Sequence, residues 1–368
     1  MIAVLLIGVV LLMLIYKAIY RKLWEKDLTV DLAFGQSYVY AGECASLKEK
    51  IENHKRMPVS PLEVRFRIKK GLRFQDADNT SVSDFVYKRD IYALLGRQRI
   101  TRTLQMECQK RGVYAIEDVS MVTYSLLHED TYRKNLDTDA QIYVYAKRTN
   151  VDNVLRAVEN LMGAQESDKK YLEDPFAFAS IREYTMQDPM KNINWKASAK
   201  TGDLMVNTFT SMKNEKMMIY LDVEDNGVLK KEHLIEESIS VAATLFQKLL
   251  NKGMEAGIAI NLHDEEKKTY FYLPFSRSKS NRILLEKTLA TNWKENAVTD
   301  FEKVLDNSFK DAIPVIISKN ITPQRLRKAE SLIGNKAKGI WVIPYEIGEV
   351  PEVHSSSFLF VKREVGEW

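Results

Sequence analysis

The chain begins with a long apolar run and then alternates between short apolar stretches and polar turns. From Ile2 to Ile15 every residue is apolar or Gly, and the run continues to Tyr20 with a single Lys inside it. A run of this length is just long enough to span the hydrocarbon core of a bilayer. The pattern therefore predicts a transmembrane helix over residues 1–20, with residues 2–20 contacting the membrane.

Positive charges follow the uninterrupted apolar stretch 2–15, at Lys17, Arg21, Lys22 and Lys26. A secretory signal peptide carries its positive charge before the apolar stretch, so the order found here favours an uncleaved anchor. Positively charged flanks stay on the cytoplasmic side of a membrane. We therefore expect a single-pass protein of the cell membrane with the bulk of the chain in the cytoplasm.

Residues 28–150 show short runs in which apolar and polar residues alternate, with turn-forming stretches between them. Alternation with a period of two is typical of strands that are buried on one face. The clearest runs cover residues 28–34, 62–68, 112–116, 121–126 and 141–145. Residues 90–104 fit a helix or a strand equally well. Short strands at this spacing predict a β-rich, sandwich-like domain.

The pattern changes after residue 150. Residues 151–212 predict a helix, a charged connector and a segment that mixes aromatic, charged and small residues. Residues 213–368 then alternate between strands and helices; after the apolar strand 217–221, Ile235, Ile239 and Phe246 recur at helical spacing. This alternation predicts an α/β domain with a mostly parallel sheet.

Polar residues follow two of the predicted parallel strands. Asp222 follows the first strand, and Ser318 and Asn320 follow the strand at 312–317. Ligands of such sheets bind beyond the carboxyl ends of the strands. We therefore expect these three side chains to share one edge of the sheet.

Composition narrows the classes of partner. The formal net charge is only +4, and charges of opposite sign are interspersed, so nothing indicates a nucleic-acid interface. Cys44 and Cys108 are the only cysteines and lack CxxC spacing, which favours two reduced thiols over a disulfide framework or a zinc site. No small-molecule substrate is indicated.

Residues 182–206 carry a recognisable combination of residue types. It consists of Arg182, Glu183, Tyr184, Asp188, Lys191, Ile193, the run Trp195-Lys196-Ala197-Ser198-Ala199-Lys200, Gly202, Leu204 and Val206. This combination resembles the signature of the domain of unknown function 58 family. The resemblance extends to the order of parts: an anchor, a β domain containing Arg111-Gly112-Val113-Tyr114, the signature, and an α/β domain similar to von Willebrand factor A modules.

The resemblance implies a partner and a role. Such proteins are associated with MoxR-type AAA+ ATPases in chaperone-like or assembly roles, and we expect the strand-end surface of the α/β domain to face such an ATPase. Family members typically carry two N-terminal transmembrane helices, whereas one is predicted here, so their hairpin topology does not carry over.

The sequence allows two interpretations of the signature. It is either a docking surface for a partner or an internal brace, in which Arg182 pairs with Asp188 and Trp195 packs beneath them. The candidate residues common to both readings are Arg182, Tyr184, Asp188, Lys191, Trp195, Lys196, Ser198, Lys200 and Gly202.

A degenerate metal site is also implied. Von Willebrand factor A modules often bind Mg²⁺ through Asp-x-Ser-x-Ser after the first strand, and the corresponding residues here are Asp222-Val223-Glu224-Asp225-Asn226. Asp222 and Glu224 are thus candidate ligands of a degenerate metal-ion-dependent adhesion site. Because Glu224 and Asn226 replace both serines, we expect an empty site and no cofactor; an acidic turn is the alternative.

The sequence shows no motif that is typical of an enzyme active site. The five histidines lie in charged or loop-like settings without a GxSxG elbow, and neither the pair of His128 and Glu129 nor the run 263–266 has HExxH spacing. A phosphate-binding GxxxxGK[ST] loop is also absent from the sequence. We predict a non-enzymatic adaptor or scaffold. The alternative is a divalent-metal-dependent protein-binding module. A third possibility, a hydrolase, is not supported by any set of catalytic residues in the sequence.

Overall fold

The computed structural model describes residues 2–76, 78–125, 130–168, 178–186, 188–209, 216–225, 227, 229–264, 269–291, 298–306, 309, 312–333 and 338–366 of the chain. These residues form two compact units. The β unit comprises Met1–Arg148 with Ile283–Asn296, and the α/β unit comprises Thr149–Arg282 with Ala297–Trp368.

The helices are α1 (Ile2–Leu23), α2 (Asp152–Asp168), α3 (Trp195–Thr201), α4 (Glu232–Asn251), α5 (Lys279–Ala290), α6 (Phe301–Leu305) and α7 (Pro323–Ser331). The strands of the β unit are β1 (Leu28–Phe34), β2 (Tyr38–Tyr40), β3 (Cys44–Asn53), β4 (Val59–Lys69), β5 (Leu72–Phe74), β6 (Thr80–Val82), β7 (Phe85–Leu94), β8 (Arg99–Cys108), β9 (Gly112–Tyr124), β10 (Thr131–Asn135) and β11 (Gln141–Tyr145). The strands of the α/β unit are β12 (Phe178–Glu183), β13 (Met205–Phe209), β14 (Lys216–Leu221), β15 (Glu255–Asp264), β16 (Thr269–Ser276), β17 (Ala312–Ile317), β18 (Gly339–Glu346) and β19 (Phe358–Val365).

The N-terminal apolar run forms helix α1, but no helix in the described part of the chain is long and apolar enough to cross a membrane. Lys17 and Arg21 lie in the last two turns of α1. The uncharged stretch before Lys17 is about 15 residues, which is roughly 22 Å of helix, whereas the hydrocarbon core is about 30 Å thick. The predicted transmembrane helix over residues 1–20 and the predicted single-pass location in the cell membrane are therefore wrong.

The C-terminal end of α1 packs on the β unit instead. Tyr20 and Trp24 are buried in a cluster with Leu28 and Ile51. The Tyr20 hydroxyl lies 2.9 Å from the Thr123 hydroxyl oxygen on β9. Burial of the two aromatic side chains fixes this end of the helix to the sheet, because each removes a large apolar area from water.

The β unit contains two sheets packed face to face. One has the strand order β1-β3-β8-β5, and the other has the order β2-β11-β9-β4-β7-β6, with β10 paired to β9. Alternate side chains of both sheets fill a common core that includes Leu47, Phe66, Met106 and Ile142. Residues 90–104, which fit either element by pattern, form the end of β7, a turn and the start of β8.

Two predicted strands of this unit are one element in the structure. Residues 112–116 and 121–124 belong to the long strand β9. Asp118 lies between them with a φ of 53°. Such a left-handed residue is typical of a local irregularity in a strand, which explains why the alternation is interrupted there without ending the strand.

The predicted fold class needs correction, because the sheets are mixed and the fold is β-rich with many antiparallel strands. The six-stranded sheet of the α/β unit has the order β16-β15-β14-β17-β18-β19. Pairings from β15 to β19 are parallel, whereas β16 pairs antiparallel with β15. Only residues 265–268 connect those two strands, and a parallel crossover needs a much longer connection.

Helices cover both faces of this sheet. The α4 side chains Ile235, Ile239 and Phe246 are buried, as the helical spacing predicts. On the other face, Met218 and Tyr220 of β14 share a cluster with Phe301 of α6. Because successive side chains of a strand point to opposite faces, β14 is buried on both sides, and only its ends can present polar groups.

Several charged side chains are buried inside the β unit. The Tyr92 hydroxyl donates a hydrogen bond to Glu49, and Arg102 Nη1 donates to Asp90 Oδ1 at 2.8 Å. Lys88 Nζ lies 3.7 Å from the same Asp90 oxygen. Burial raises the pKa of Glu49 to about 7, and the Asp90 charge acts in the same direction, whereas Tyr92, Arg102 and Lys88 oppose it.

This raised pKa makes the stability of the β unit depend on pH. The folded state holds a proton on Glu49 between its ordinary value of 4.5 and about 7, so the stabilisation it provides is lost as pH rises through that window. We expect Glu49→Gln to flatten the pH dependence and to stabilise the unit at pH 8 by up to about 3 kcal/mol. Urea unfolding at pH 5 and pH 8 measures this.

Glu107→Gln, on the exposed face of β8, is the control and should leave the pH profile of the wild type unchanged. If Glu49→Gln and wild type lose stability equally between pH 5 and pH 8, Glu49 is not the titrating group.

Candidate functional site

A polar cluster lies where the central strands of the α/β unit end. Asp222 follows β14 and is 1% exposed. Its Oδ2 accepts a hydrogen bond from Ser318 Oγ at 2.7 Å, and Asn320 Nδ2 lies 3.4 Å from the same oxygen. The prediction that these three side chains share an edge is confirmed. Neighbouring parallel strands bring them together, because β14 and β17 end side by side.

Asn261 of β15 completes the surroundings of Asp222. Its Nδ2 donates to Asp222 Oδ1 at 2.9 Å, and its Oδ1 accepts from the Val223 N–H at 2.8 Å. The Glu224 N–H also donates to Asp222 Oδ1, at 2.9 Å. The orientation of the Asn261 amide is therefore fixed at both ends, with its N–H facing the carboxylate.

Two cations neutralise the acidic residues after β14. Arg325, in the first turn of α7, donates from Nη1 to Asp222 Oδ2 at 3.0 Å and from Nη2 to Glu224. Lys319 pairs with Asp225. Arg325 is itself only 7% exposed, and its guanidinium lies 5.7 Å from the Phe301 ring centroid. The strand-end cluster is defined here as Asp222, Glu224, Asp225, Asn261, Ser318, Lys319, Asn320 and Arg325.

The electrostatics of the cluster follow from burial and pairing. Burial raises the pKa of the Asp222 carboxyl, while Arg325, Ser318 and the Glu224 N–H oppose this effect. A guanidinium, an amide and a backbone N–H all offer protons to this carboxyl. These donors favour the ionised form, because each hydrogen bond is stronger to a carboxylate than to a neutral acid.

A metal ion fits this arrangement poorly. No group of three or more His, Cys, Asp or Glu side chains that could hold a metal occurs among the residues the structure describes. The predicted ligands Asp222 and Glu224 both contact Arg325, whose positive charge would repel a divalent cation. Asn226 of the predicted motif lies outside the described residues.

The histidine-containing stretches are only partly within the described residues. His128, Glu129, Glu265 and Glu266 lie outside the described residues, and Asp130 pairs with Lys17 at 2.6 Å. Elsewhere in the α/β unit, His233 Nε2 lies 3.1 Å from Glu346 Oε1.

An ion pair braces the start of the signature. Arg182 on β12 donates from Nη1 and Nη2 to Asp188 at 2.7 and 2.6 Å. The Thr185 N–H and hydroxyl donate to the same carboxylate at 2.9 and 2.8 Å. Arg182 and Thr185 hold the pKa of the Asp188 carboxyl well below its usual range. The predicted Arg182–Asp188 pair is therefore present, and it orders the turn between β12 and α3.

Hydrogen bonds also fix the backbone in the second half of the signature, from Asn194 to Met205. Asn194 caps α3 by accepting from the Ala197 N–H at 2.9 Å. Ser198 Oγ donates to the Asn194 carbonyl at 2.8 Å and accepts from the Met205 N–H at 2.8 Å, which ties α3 to β13. Gly202 ends the helix with a φ of 86°, a conformation that favours glycine.

Several side chains of the signature face solvent. Trp195 is 66% exposed, so it does not pack beneath the ion pair as the brace reading expected. Lys191, Lys196 and Lys200 are exposed, whereas Tyr184 is half-buried and donates from its N–H to the Leu204 carbonyl at 2.8 Å. The segment thus combines an internally braced backbone with an outward-facing Trp and three Lys.

The bridge made by Ser198 leads to a testable effect. We expect Ser198→Ala to release the Met205 N–H and to destabilise the α3–β13 connection by about 1 kcal/mol, because the Met205 N–H and the Asn194 carbonyl each lose their hydrogen bond to the Ser198 hydroxyl. Hydrogen exchange measures this as faster exchange at Met205. Thr201→Ala, which removes an exposed hydroxyl of the same helix, serves as the control. Unchanged exchange at Met205 in Ser198→Ala would contradict the bridge.

Comparison with known proteins supports part of the resemblance drawn from the signature. A family model described as "Protein of unknown function DUF58" matches residues 180–351. The matched range starts in β12 and includes both the signature and the strand-end cluster. An uncharacterized protein, YeaD of Bacillus subtilis (strain 168), is 21% identical over 226 residues. That alignment covers 61% of this chain and 53% of YeaD, so the chain spans about half the length of this curated relative.

Solved structures give only distant likenesses. A CARDB domain of the PF1109 protein from Pyrococcus furiosus, in complex with di-metal ions, is 15% identical with a TM-score of 0.20; it matches 31% of this chain and 93% of that domain. A non-cellulosomal cohesin from Archaeoglobus fulgidus is 9% identical with a TM-score of 0.22; it matches 36% of this chain and 97% of the cohesin. TM-scores this low carry no argument about this chain.

Proposed function

We propose that this chain is a non-enzymatic adaptor that binds a partner protein through the exposed side of its signature. The signature surface is defined as Met190, Lys191, Trp195, Lys196 and Lys200. The observation that carries the proposal is the 66% exposure of Trp195 on a segment whose other groups are held by internal hydrogen bonds. A rigidly presented Trp is typical of an interface anchor, because it can bury a large area at little entropic cost.

The chemistry of the signature surface selects the partner. Lys196 and Lys200 are one helical turn apart on α3, next to Trp195, and neither forms an ion pair with another described residue. A complementary surface would offer an apolar pocket for the indole and carboxylates for the ammonium groups. We propose a MoxR-type AAA+ ATPase as this partner, on the strength of the signature's resemblance, with a chaperone-like or assembly role for the pair.

The signature surface is a better docking site than the strand-end edge. The acidic residues of the strand-end cluster form ion pairs with Arg325 and Lys319. Because these pairs neutralise the carboxylates, the cluster attracts a charged partner only weakly. The lysines of the signature surface are exposed. The same comparison disfavours the metal-dependent binding module, whose ligands would have to be Asp222 and Glu224. Any nucleotide hydrolysis would belong to the ATPase, because this sequence has no phosphate-binding loop of the GxxxxGK[ST] type.

Charge reversal tests the proposal. The full-length wild type and the double variant Lys196→Glu, Lys200→Glu are used as baits in extracts of the source organism, with the captured proteins identified by mass spectrometry. We expect the wild type to capture a MoxR-type ATPase and the variant to lose at least about 90% of it, since two attractive charges become repulsive. The control is Lys48→Glu, Lys70→Glu, which reverses two exposed lysines of the β unit. Equal capture by all three proteins would refute docking at this surface.

A further inference from the structure

Three acidic residues come directly after strand β14 in the sequence, and carboxylates that are buried need positive charge nearby. Asp222, Glu224 and Asp225 follow the strand within four residues, and Asp222 is almost fully buried. Buried carboxylates of this kind are stable only when cations or hydrogen-bond donors compensate them. A bound divalent cation is one way to supply that charge, and a side chain of the protein is another.

The structure supplies the charge from within. Arg325 contacts Asp222 and Glu224 together, one with each terminal nitrogen of its guanidinium. It stands in the first turn of α7, which Thr322 caps through a hydrogen bond from the Arg325 N–H at 3.2 Å. This cap fixes the start of the helix, and with it the direction from which the guanidinium approaches. Lys319 neutralises the third carboxylate, Asp225.

The amide groups of the cluster also suit a guanidinium better than a metal ion. Magnesium needs about six oxygen ligands at roughly 2.1 Å in octahedral geometry. Asn261 and Asn320 turn their Nδ2 atoms towards Asp222, so both amides present protons to the carboxylate. The Asn261 oxygen is already used by the Val223 N–H. A metal ion would have to displace Arg325 and reverse these amides.

We propose that Arg325 takes the place of a divalent cation in the strand-end cluster. The cluster is a cation-independent brace that joins the ends of β14 and β17 to α7. It therefore takes up neither Mg²⁺ nor Mn²⁺, and any contact that a partner makes at this edge is insensitive to divalent ions. Arg325 acts as a positioning residue: through Asp222 and Glu224 it holds the segment after β14 against α7.

The first arm of the test uses the full-length wild type. Calorimetric titration with MgCl₂ or MnCl₂ should give no binding heat, and the melting temperature should be the same with 5 mM MnCl₂ as with EDTA, to within about 1 °C. Saturable Mn²⁺ binding that Asp222→Asn abolishes would overturn the proposal.

The second arm removes the built-in cation. Arg325→Ser leaves Asp222 and Glu224 without their partner and adds a small hydroxyl, so we expect Mn²⁺ to raise the melting temperature of this variant by several degrees. The double variant Arg325→Ser, Asp222→Asn should not respond. Arg327→Ser, which removes an exposed arginine from the same helix, is the matched control and should behave as the wild type.

A folded Arg325→Ser that ignores Mn²⁺ would overturn the idea that the guanidinium stands in for a metal. If Arg325→Ser folds only when Mn²⁺ is present, the proposal is supported. If it folds under neither condition, Arg325→Lys decides: this variant keeps the positive charge and should melt without any Mn²⁺ response, and a Mn²⁺ response in it would contradict the proposal.

Discussion

Replacing Asp222 by Ala lowers the free energy of unfolding of the α/β unit by about 3–5 kcal/mol, because it leaves the buried Arg325 guanidinium without its main partner. The Asn261 amide and the Ser318 hydroxyl lose their acceptor in the same step. Each of these groups is shielded from water, so solvent cannot replace the lost bonds without rearrangement. Urea unfolding followed by circular dichroism measures the change.

Asp306→Ala is the matched control for this prediction. Asp306 forms an ion pair with Lys328 of α7 at 2.8 Å, but it is largely exposed, so its loss should cost no more than about 1 kcal/mol. The comparison separates a buried brace from a surface ion pair on the same helix. An Asp222→Ala variant as stable as the control would show that the strand-end cluster does not hold the loops together.

The second large effect concerns binding. We expect Trp195→Ala to weaken the affinity for the ATPase partner at least 30-fold, which corresponds to about 2 kcal/mol, as is usual for an aromatic anchor at the centre of an interface. Stability should change by less than about 0.5 kcal/mol, because the side chain is exposed in the free protein. Titration calorimetry with purified proteins measures the affinity, and thermal melting measures the stability.

Tyr87→Ala provides the aromatic control. Tyr87 is an exposed aromatic residue on β7 of the β unit, outside the signature. Its removal deletes an exposed aromatic side chain without touching the signature surface, so the affinity should stay within about twofold of the wild type. If both substitutions weaken binding equally, the loss does not report on the signature surface.

Periodicity predicted those parts of the fold that local burial determines. The spacing of Ile235, Ile239 and Phe246 identified the buried face of α4, and the apolar run 217–221 lies within β14. Periodicity could not distinguish an apolar helix that spans a bilayer from one that ends on a protein surface. That difference depends on where Tyr20 and Trp24 are buried, and these contacts join residues distant in sequence.

The direction of strand β16 shows a similar limit. A β-strand pattern at residues 269–273 is compatible with either direction of pairing. The direction is set by the length of the connection from β15, which becomes clear only when the exact ends of both strands are known.

The candidate site was predictable only in part. Asp222, Ser318 and Asn320 could be placed on one edge, because parallel strands bring their carboxyl ends together. Arg325 and Asn261 gave no signal, since Arg325 meets Asp222 across a separation of 103 residues. The ion pair between Arg182 and Asp188 was readable from their short spacing, whereas the outward direction of Trp195 depends on how α3 is capped and tied to β13.

Site-specific photo-crosslinking tests the adaptor proposal most directly. A photoreactive phenylalanine analogue replaces Trp195 in the full-length protein, and a second sample carries it at Tyr87 as the control. After irradiation in cells of the source organism, crosslinked proteins are identified by mass spectrometry. We expect a MoxR-type AAA+ subunit crosslinked from position 195 and not from position 87. Absence of that subunit from the products at position 195, or equal yields from both positions, would contradict docking through the signature surface.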